Sequence, residues 1–238
     1  MSASLSEFVM GSGYADYSDL ELTKCTRSFS VPVVKATPEN TLGYGTLFTL
    51  SERDRVETQV LPWPEKRGRP LSRDSGRGGG LTQGRFRFHW DATGRLKAQN
   101  EAVGGSYVVA VRRTVPDDKS QNMEGQRICW WTREANYHAC GGQKIMPLIS
   151  QDPTPAVMLL ALPGDDVKPK DFVAFELPAR HGFLINPYVW HQPFMPVASN
   201  WVCDNEQAAV HSCYAVDTVK EFGVWLSIPW QNHWSKKE

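Results

Sequence analysis

Two short stretches of the chain carry the residue types that move protons. The first, TREANYHACGGQKIMPL from Thr132 to Leu148, places Glu134, His138, Gln143 and Lys144 around a Gly141-Gly142 turn. The second, HGFLINPYVWHQPFMPV from His181 to Val197, sets His191 and Gln192 just after Tyr188 and Trp190. An imidazole titrates near neutral pH, a neighbouring carboxylate raises its basicity and an ammonium lowers it. Groups of these types in one place offer tunable proton transfer. The same residues also fit a solvated hairpin with polar tips, and His191 also fits a core histidine beside a buried tryptophan.

The elements that must position these side chains are strands. Pro187 has a fixed φ and no N–H, so the strand before it ends there and the next residues swing across a sheet end or a barrel mouth. By the two-residue period of a strand, Glu134 and His138 share a face, and Gln143 or Lys144 returns on the neighbouring strand of a hairpin. RFRFHW, Arg85 to Trp90, alternates so that Phe86, Phe88 and Trp90 take one face and Arg85, Arg87 and His89 the other. Further strands are read in SFSVPVVKA, TLFTL, SYVVAVRR, RICWWT, AVMLLAL, DFVAFELP, GFLI, VHSCYAV and EFGVWLSIP. Thr37-Pro38-Glu39 predicts the start of one short helix that Gly43 to Gly45 ends. Many short strands with one weak helix describe an all-β sandwich or small barrel.

Composition narrows the function. The chain has 238 residues with Lys+Arg 26 against Asp+Glu 26, a balance that offers no electrostatic footprint for nucleic acid or an anionic membrane. The longest apolar run, Ala156 to Leu162, is far below the roughly 20 residues a membrane helix needs. The start of the chain lacks a basic segment followed by an apolar block, and none of the five cysteines forms a C-x-x-C pair. A reducing, cytoplasmic setting is expected. Cys140 is read as a small buried thiol, and His89, His181, His211 and His233 as structural or surface histidines. Residues 1–29 are expected to form a polar, flexible extension and 30–238 a single domain. The Gly/Pro/Arg-rich stretch 64–84 reads as a mobile loop or lid without phosphate-loop spacing.

A carboxylate, an amide and imidazoles converging from two strand pairs suggest the cupin arrangement, with the site at the open end of the barrel. From about Ser30 to Pro229 the sequence resembles the ureidoglycolate lyases, cupin-fold enzymes of allantoin breakdown. The pieces that carry the resemblance are VKATPENTLGYGTLF, RFRFHWDATG, SYVVAVRRTVP, His138-x-x-Gly141-x-Gln143 with the following Pro147-Leu148, and Val189-Trp190-His191-x-Pro193. Gln192 stands where that family usually has a second histidine, Asn136 and Tyr137 replace its acid and arginine, and Asn200 to Gln207 reads as an insertion.

The resemblance implies a cupin-like fold with a short N-terminal helix, and a lyase that splits ureidoglycolate into glyoxylate and urea in purine degradation. It implies His138 and His191 as the acid/base pair, with Glu134 orienting one ring. Gln143 would bond the ureido group, Lys144 or Arg112 would hold the carboxylate, and Tyr188 and Gln192 would line the mouth. A homodimer is the family's common state. Two other readings fit the same residues. One is a metal-dependent cupin enzyme acting on another small acid or sugar, with a divalent ion on His138 and His191. The other is a non-catalytic cupin-like binding protein.

Overall fold

The computed structural model of the chain describes residues 27–61, 80–115, 127–148, 154–208 and 213–230. Its strands are β1 (Ser28–Ser30), β2 (Val33–Lys35), β3 (Gly45–Thr49), β4 (Leu81–Trp90), β5 (Arg95–Asn100), β6 (Ser106–Val115), β7 (Arg127–Thr132) and β8 (Glu134–His138). They continue with β9 (Gln143–Pro147), β10 (Ala156–Ala161), β11 (Val173–Leu177), β12 (His181–Ile185), β13 (Trp190–Pro196), β14 (Asn200–Ala208), β15 (Cys213–Asp217) and β16 (Trp225–Trp230). The one α-helix among the described residues, α1 (Thr218–Phe222), is capped by Asp217, whose carboxylate accepts the Val219 and Lys220 N–H groups.

The strands form two sheets, so the expected all-β class holds. The larger is ordered β1-β16-β7-β6-β5-β4-β14-β9-β12-β3 and the smaller β15-β8-β13-β10-β11-β2. They remain separate, which makes the architecture an open sandwich, not a closed barrel. Alternation in β4 decides one inner face as expected: Phe86, Phe88 and Trp90 are buried, while Arg87 pairs with Glu101 and His89 Nδ1 meets Asn200 Oδ1 at 2.7 Å on the outside. The inner faces meet where Phe194 of β13 packs edge-on against Trp201 of β14 at 5.1 Å. Each such large side chain removed from water stabilises the fold by roughly 1.5–3 kcal/mol.

Two expectations, the N-terminal helix and the glycine hairpin, are corrected. The expected N-terminal helix is a pair of hydrogen-bonded turns: the Thr41 and Gly45 N–H groups bond Thr37 and Thr41 carbonyls at 3.1 Å, and the Thr37 and Asn40 side chains bond each other's backbone N–H in place of a continued helix ladder. Asn200 to Gln207 forms the body of β14, which sits between β4 and β9 and pairs with both. The Gly141-Gly142 link does not close a hairpin, because β8 belongs to the smaller sheet and β9 to the larger. The strand read in SFSVPVVKA begins at Ser28 as β1, which pairs in parallel with β16. Most of the extension, residues 64–79 of the Gly/Arg stretch, Cys25, His211 and His233 lie outside the described residues.

Candidate functional site

The link between β8 and β9 carries the chain from one sheet to the other at one end of the sandwich. It is held by the segment before residue 62: the Leu61 N–H donates to Cys140 O at 2.7 Å and the Gly142 N–H to Gln59 O at 3.0 Å. A Cβ on Gly141 would stand 2.3 Å from that Gln59 oxygen, so only glycine fits so close an approach. His138 is therefore the last residue of β8, Gln143 the first of β9, and both lie at this end. Cys140 is fully buried, as expected of a small core thiol.

The second stretch returns to the same place. After β12 the chain turns through Asn186-Pro187-Tyr188-Val189, closed by the Val189 N–H to Asn186 O bond at 3.3 Å. Pro187 supplies the fixed φ, and Tyr188 takes the left-handed conformation at φ 65° that such turns normally give to Gly or Asn. The Tyr188 N–H donates to the His138 carbonyl at 3.0 Å, which fastens the turn to the end of β8. Two residues on, His191 enters β13 directly opposite Asn136 of β8 and Leu160 of β10.

These registers bring the two imidazoles together. The rings of His138 and His191 lie 5.1 Å apart between centroids, with planes at 52°. Both are on the inner face: His191 and Pro196 pair with Leu160 and Ala156, which share a side of β10, and Phe194 on that side meets Trp201. A one-residue bulge after Gln192 keeps His191, Phe194 and Pro196 on the same face.

His191 is only 3 % exposed, and its Nδ1 lies 2.8 Å from Val189 O. A carbonyl only accepts, so Nδ1 carries the hydrogen and Nε2 the lone pair. Burial pushes the His191 pKa down to about 4, against the smaller upward pull of the Val189 carbonyl. The ring is therefore neutral at physiological pH.

Comparison with family models and with curated proteins finds no match to this chain.

The remaining expected residues fall in different places. Glu134 is buried on the His138 face of β8, but the strand rise sets their Cα atoms about 13 Å apart with Asn136 between. No carboxylate is among the causes of the His191 shift. Gln143 is buried on the inner face of the larger sheet and bonds Asn205 and Gln207.

Lys144 points to the opposite, outer face, where its Nζ meets Glu206 and Val56 O, each at 3.0 Å. Arg112 reaches Val197 O at 3.4 Å beyond the far end of β13, and its guanidinium lies 4.3 Å over the Trp90 ring. Neither cation is placed to hold an anion at the imidazole pair. Gln192 occupies the other face of β13 and donates to Thr132 Oγ1 at 3.3 Å. Tyr188 flanks the site through its backbone and packs near Tyr137 at 6.2 Å.

A cavity of about 410 Å³ opens on the outer face of the larger sheet, walled by Arg53, Arg85, Lys144, Asp204 and Glu206. Its basic groups are already paired, Arg53 and Arg85 with Asp204 and Lys144 with Glu206, so it offers an anion no free cation, and the Asp54 carboxylate on its wall adds negative charge. The titratable pair lies instead between the sheets.

Sequence reasoning did not select Asn136. It is 7 % exposed, sits beside His191 in register, and its Oδ1 makes no hydrogen bond although buried. Parity along EANYH was the available signal, since it sets Asn136 on the His138 face.

Two imidazoles alone do not fit a metal centre. Among the described residues no group of three or more His, Cys, Asp and Glu is placed to hold a metal ion, and zinc sites in proteins use three or four protein ligands. Nor is any helix among the described residues long and apolar enough to cross a membrane.

Proposed function

We propose that the chain is an acid/base lyase for a small ureido acid, of the ureidoglycolate lyase type, with His138 and His191 as its proton-transfer pair. The observation that carries this reading is the 5.1 Å separation of the two rings on the inner face of the sandwich. Rings that close can serve two atoms of one small molecule, and no third ionisable group has to be enlisted.

In this reaction His191 Nε2 takes the proton from the carbinol hydroxyl. The C–N bond breaks as that oxygen's electrons form the glyoxylate carbonyl, and His138 protonates the departing urea nitrogen. Each transfer is worth roughly a hundred-fold or more. A base with a pKa of about 4 is weak in the empty site. A substrate carboxylate brings a negative charge beside it, which raises that value and stabilises the imidazolium as it forms. The protonated ring then acts as the counter-ion that neither Lys144 nor Arg112 provides. Asn136 Oδ1, a buried acceptor beside His191, takes a hydrogen bond from the N–H of the departing nitrogen.

The test is direct. Purified protein is incubated with ureidoglycolate, and urea and glyoxylate are measured against the spontaneous rate. Production above that rate that disappears in His138→Asn and in His191→Asn is the expected result, and no excess product refutes the substrate.

A further inference from the structure

Opposite the imidazole pair, the inner face of the larger sheet buries four carboxamides and no charge among the described residues. Asn100, Gln143, Asn205 and Gln207 are each at most 6 % exposed. Asn205 and Gln207 lie on the Trp201 side of β14 by parity, and Gln207 pairs with Gln143 in register. Gln207 is the penultimate residue of β14, and the Ala208 N–H beyond it bonds Gly142 O at 3.3 Å. The quartet is thus at the same end of the sandwich as His138, about one inter-sheet spacing of roughly 10 Å away.

The hydrogen bonds within the quartet decide which edge of each amide is used. Gln143 Nε2 donates to Asn205 Oδ1 at 2.9 Å and to Gln207 Oε1 at 3.3 Å. Asn205 Nδ2 donates to Asn100 Oδ1 at 3.1 Å and Gln207 Oε1 at 3.0 Å, and Asn100 Nδ2 donates to Gln207 Oε1 at 3.1 Å. Asn100 Oδ1 also accepts the Ala102 N–H, which ties the network to the backbone. Three N–H groups crowd Gln207 Oε1, which has two lone pairs to share among them, and among the described residues neither the Gln207 NH2 nor the Gln143 carbonyl oxygen makes a hydrogen bond. One free donor and one free acceptor therefore stand on two amides already joined to each other.

We propose that Gln143 and Gln207 form a subsite for a neutral ureido or primary carboxamide group, with Asn205 and Asn100 as positioning residues that fix which amide edges are offered. A carboxylate is a poor match, because it would meet the Gln143 oxygen without a cation in the quartet. A ureido group supplies both the N–H and the C=O that the free edges need. A site built to hydrogen-bond such a group rejects analogues lacking it, because its own polar atoms are then left unpaired. This subsite rests on the lyase reading for its biological substrate, but its chemistry can be tested apart from turnover.

The probes are N-carbamoylglycine, a ureido acid with no carbinol hydroxyl to eliminate, and glycolate, which lacks the ureido group. In wild-type protein labelled with 15N in the glutamine side chains, two carboxamide NH2 signals are expected to shift with N-carbamoylglycine and not with glycolate. Shifts common to both probes, or none, overturn the subsite without any variant having to fold. By calorimetry, Gln143→Met and Gln207→Met should each lose about ten-fold or more in affinity for N-carbamoylglycine and keep that for glycolate. Equal losses for both probes, or no loss, overturn it. Turnover of ureidoglycolate with unchanged affinity in both variants sinks the subsite and leaves the lyase. Selective N-carbamoylglycine binding without any turnover sinks the lyase and leaves the subsite.

Discussion

His191 stands directly across from Asn136 in the β13–β8 register, and this one pairing places its ring within 5.1 Å of His138, two residues further along β8. A shift of β13 by one residue would turn His191 to the Trp190 face and dissolve the pair, since strand side chains alternate. The site is therefore a property of strand register, held in place by the Tyr188 to His138 backbone bond.

The burial of His191 predicts a pH dependence of stability. Its folded pKa of about 4 lies below the usual imidazole value of 6.5. Between these values the unfolded chain holds a proton that the folded chain does not, so stability falls as pH drops from about 7 toward 4. The full difference is about 3 kcal/mol. Urea unfolding at pH 7.5 and pH 5 should show the slope in wild type and a flatter one in His191→Gln.

The proton-transfer pair predicts non-additive losses. His138→Asn and His191→Asn should each lower kcat with ureidoglycolate by roughly a hundred-fold or more, with the double variant little worse than either single one. Losses that multiply would mean that the two rings act independently. A protein that only binds its ligand would tolerate at least one of the changes in a binding assay.

Close backbone approach makes Gly141 a sensitive position. Gly141→Ala puts a Cβ 2.3 Å from Gln59 O and 2.6 Å from the Ala208 Cβ. Relief requires segment 59–61 or the end of β14 to move, at a cost of about 2 kcal/mol or more. Thermal unfolding should register the loss, and activity should fall with it because His138 and Gln143 flank the same turn.

Tyr188 stores backbone strain at φ 65°. Tyr188→Ala and Tyr188→Gly remove the same ring, but only glycine relieves the left-handed conformation. The glycine variant should be the more stable of the two by about 1 kcal/mol in urea unfolding. Equal stabilities would place the strain elsewhere in the turn.

The strands were legible where one face is apolar. RFRFHW declares its alternation outright, and β10 is a plain apolar run because both its faces are buried. β14 was not legible, because NWVCDNEQA buries Asn205 and Gln207 alongside Trp201 and Cys203, so polar residues occupy positions where a pattern search expects apolar ones. The carboxamide quartet was hidden for the same reason. The approach of His138 and His191 could be anticipated from residue types, but the separation of Gln143 from Lys144 follows from parity on β9. Assignment of β8 and β9 to different sheets needs the three-dimensional path of the two glycines.

The first described strands bear on how the molecule assembles. β1 runs parallel to β16 and β2 parallel to β11, so one short segment joins both sheets. Ser227 Oγ donates to Phe29 O at 3.2 Å across 198 positions of sequence. Contacts that distant carry a heavy loop-closure cost and form late. The beginning of the domain must wait for β16 before it can dock, and a polypeptide cut before β16 would leave β1 with nothing to pair against.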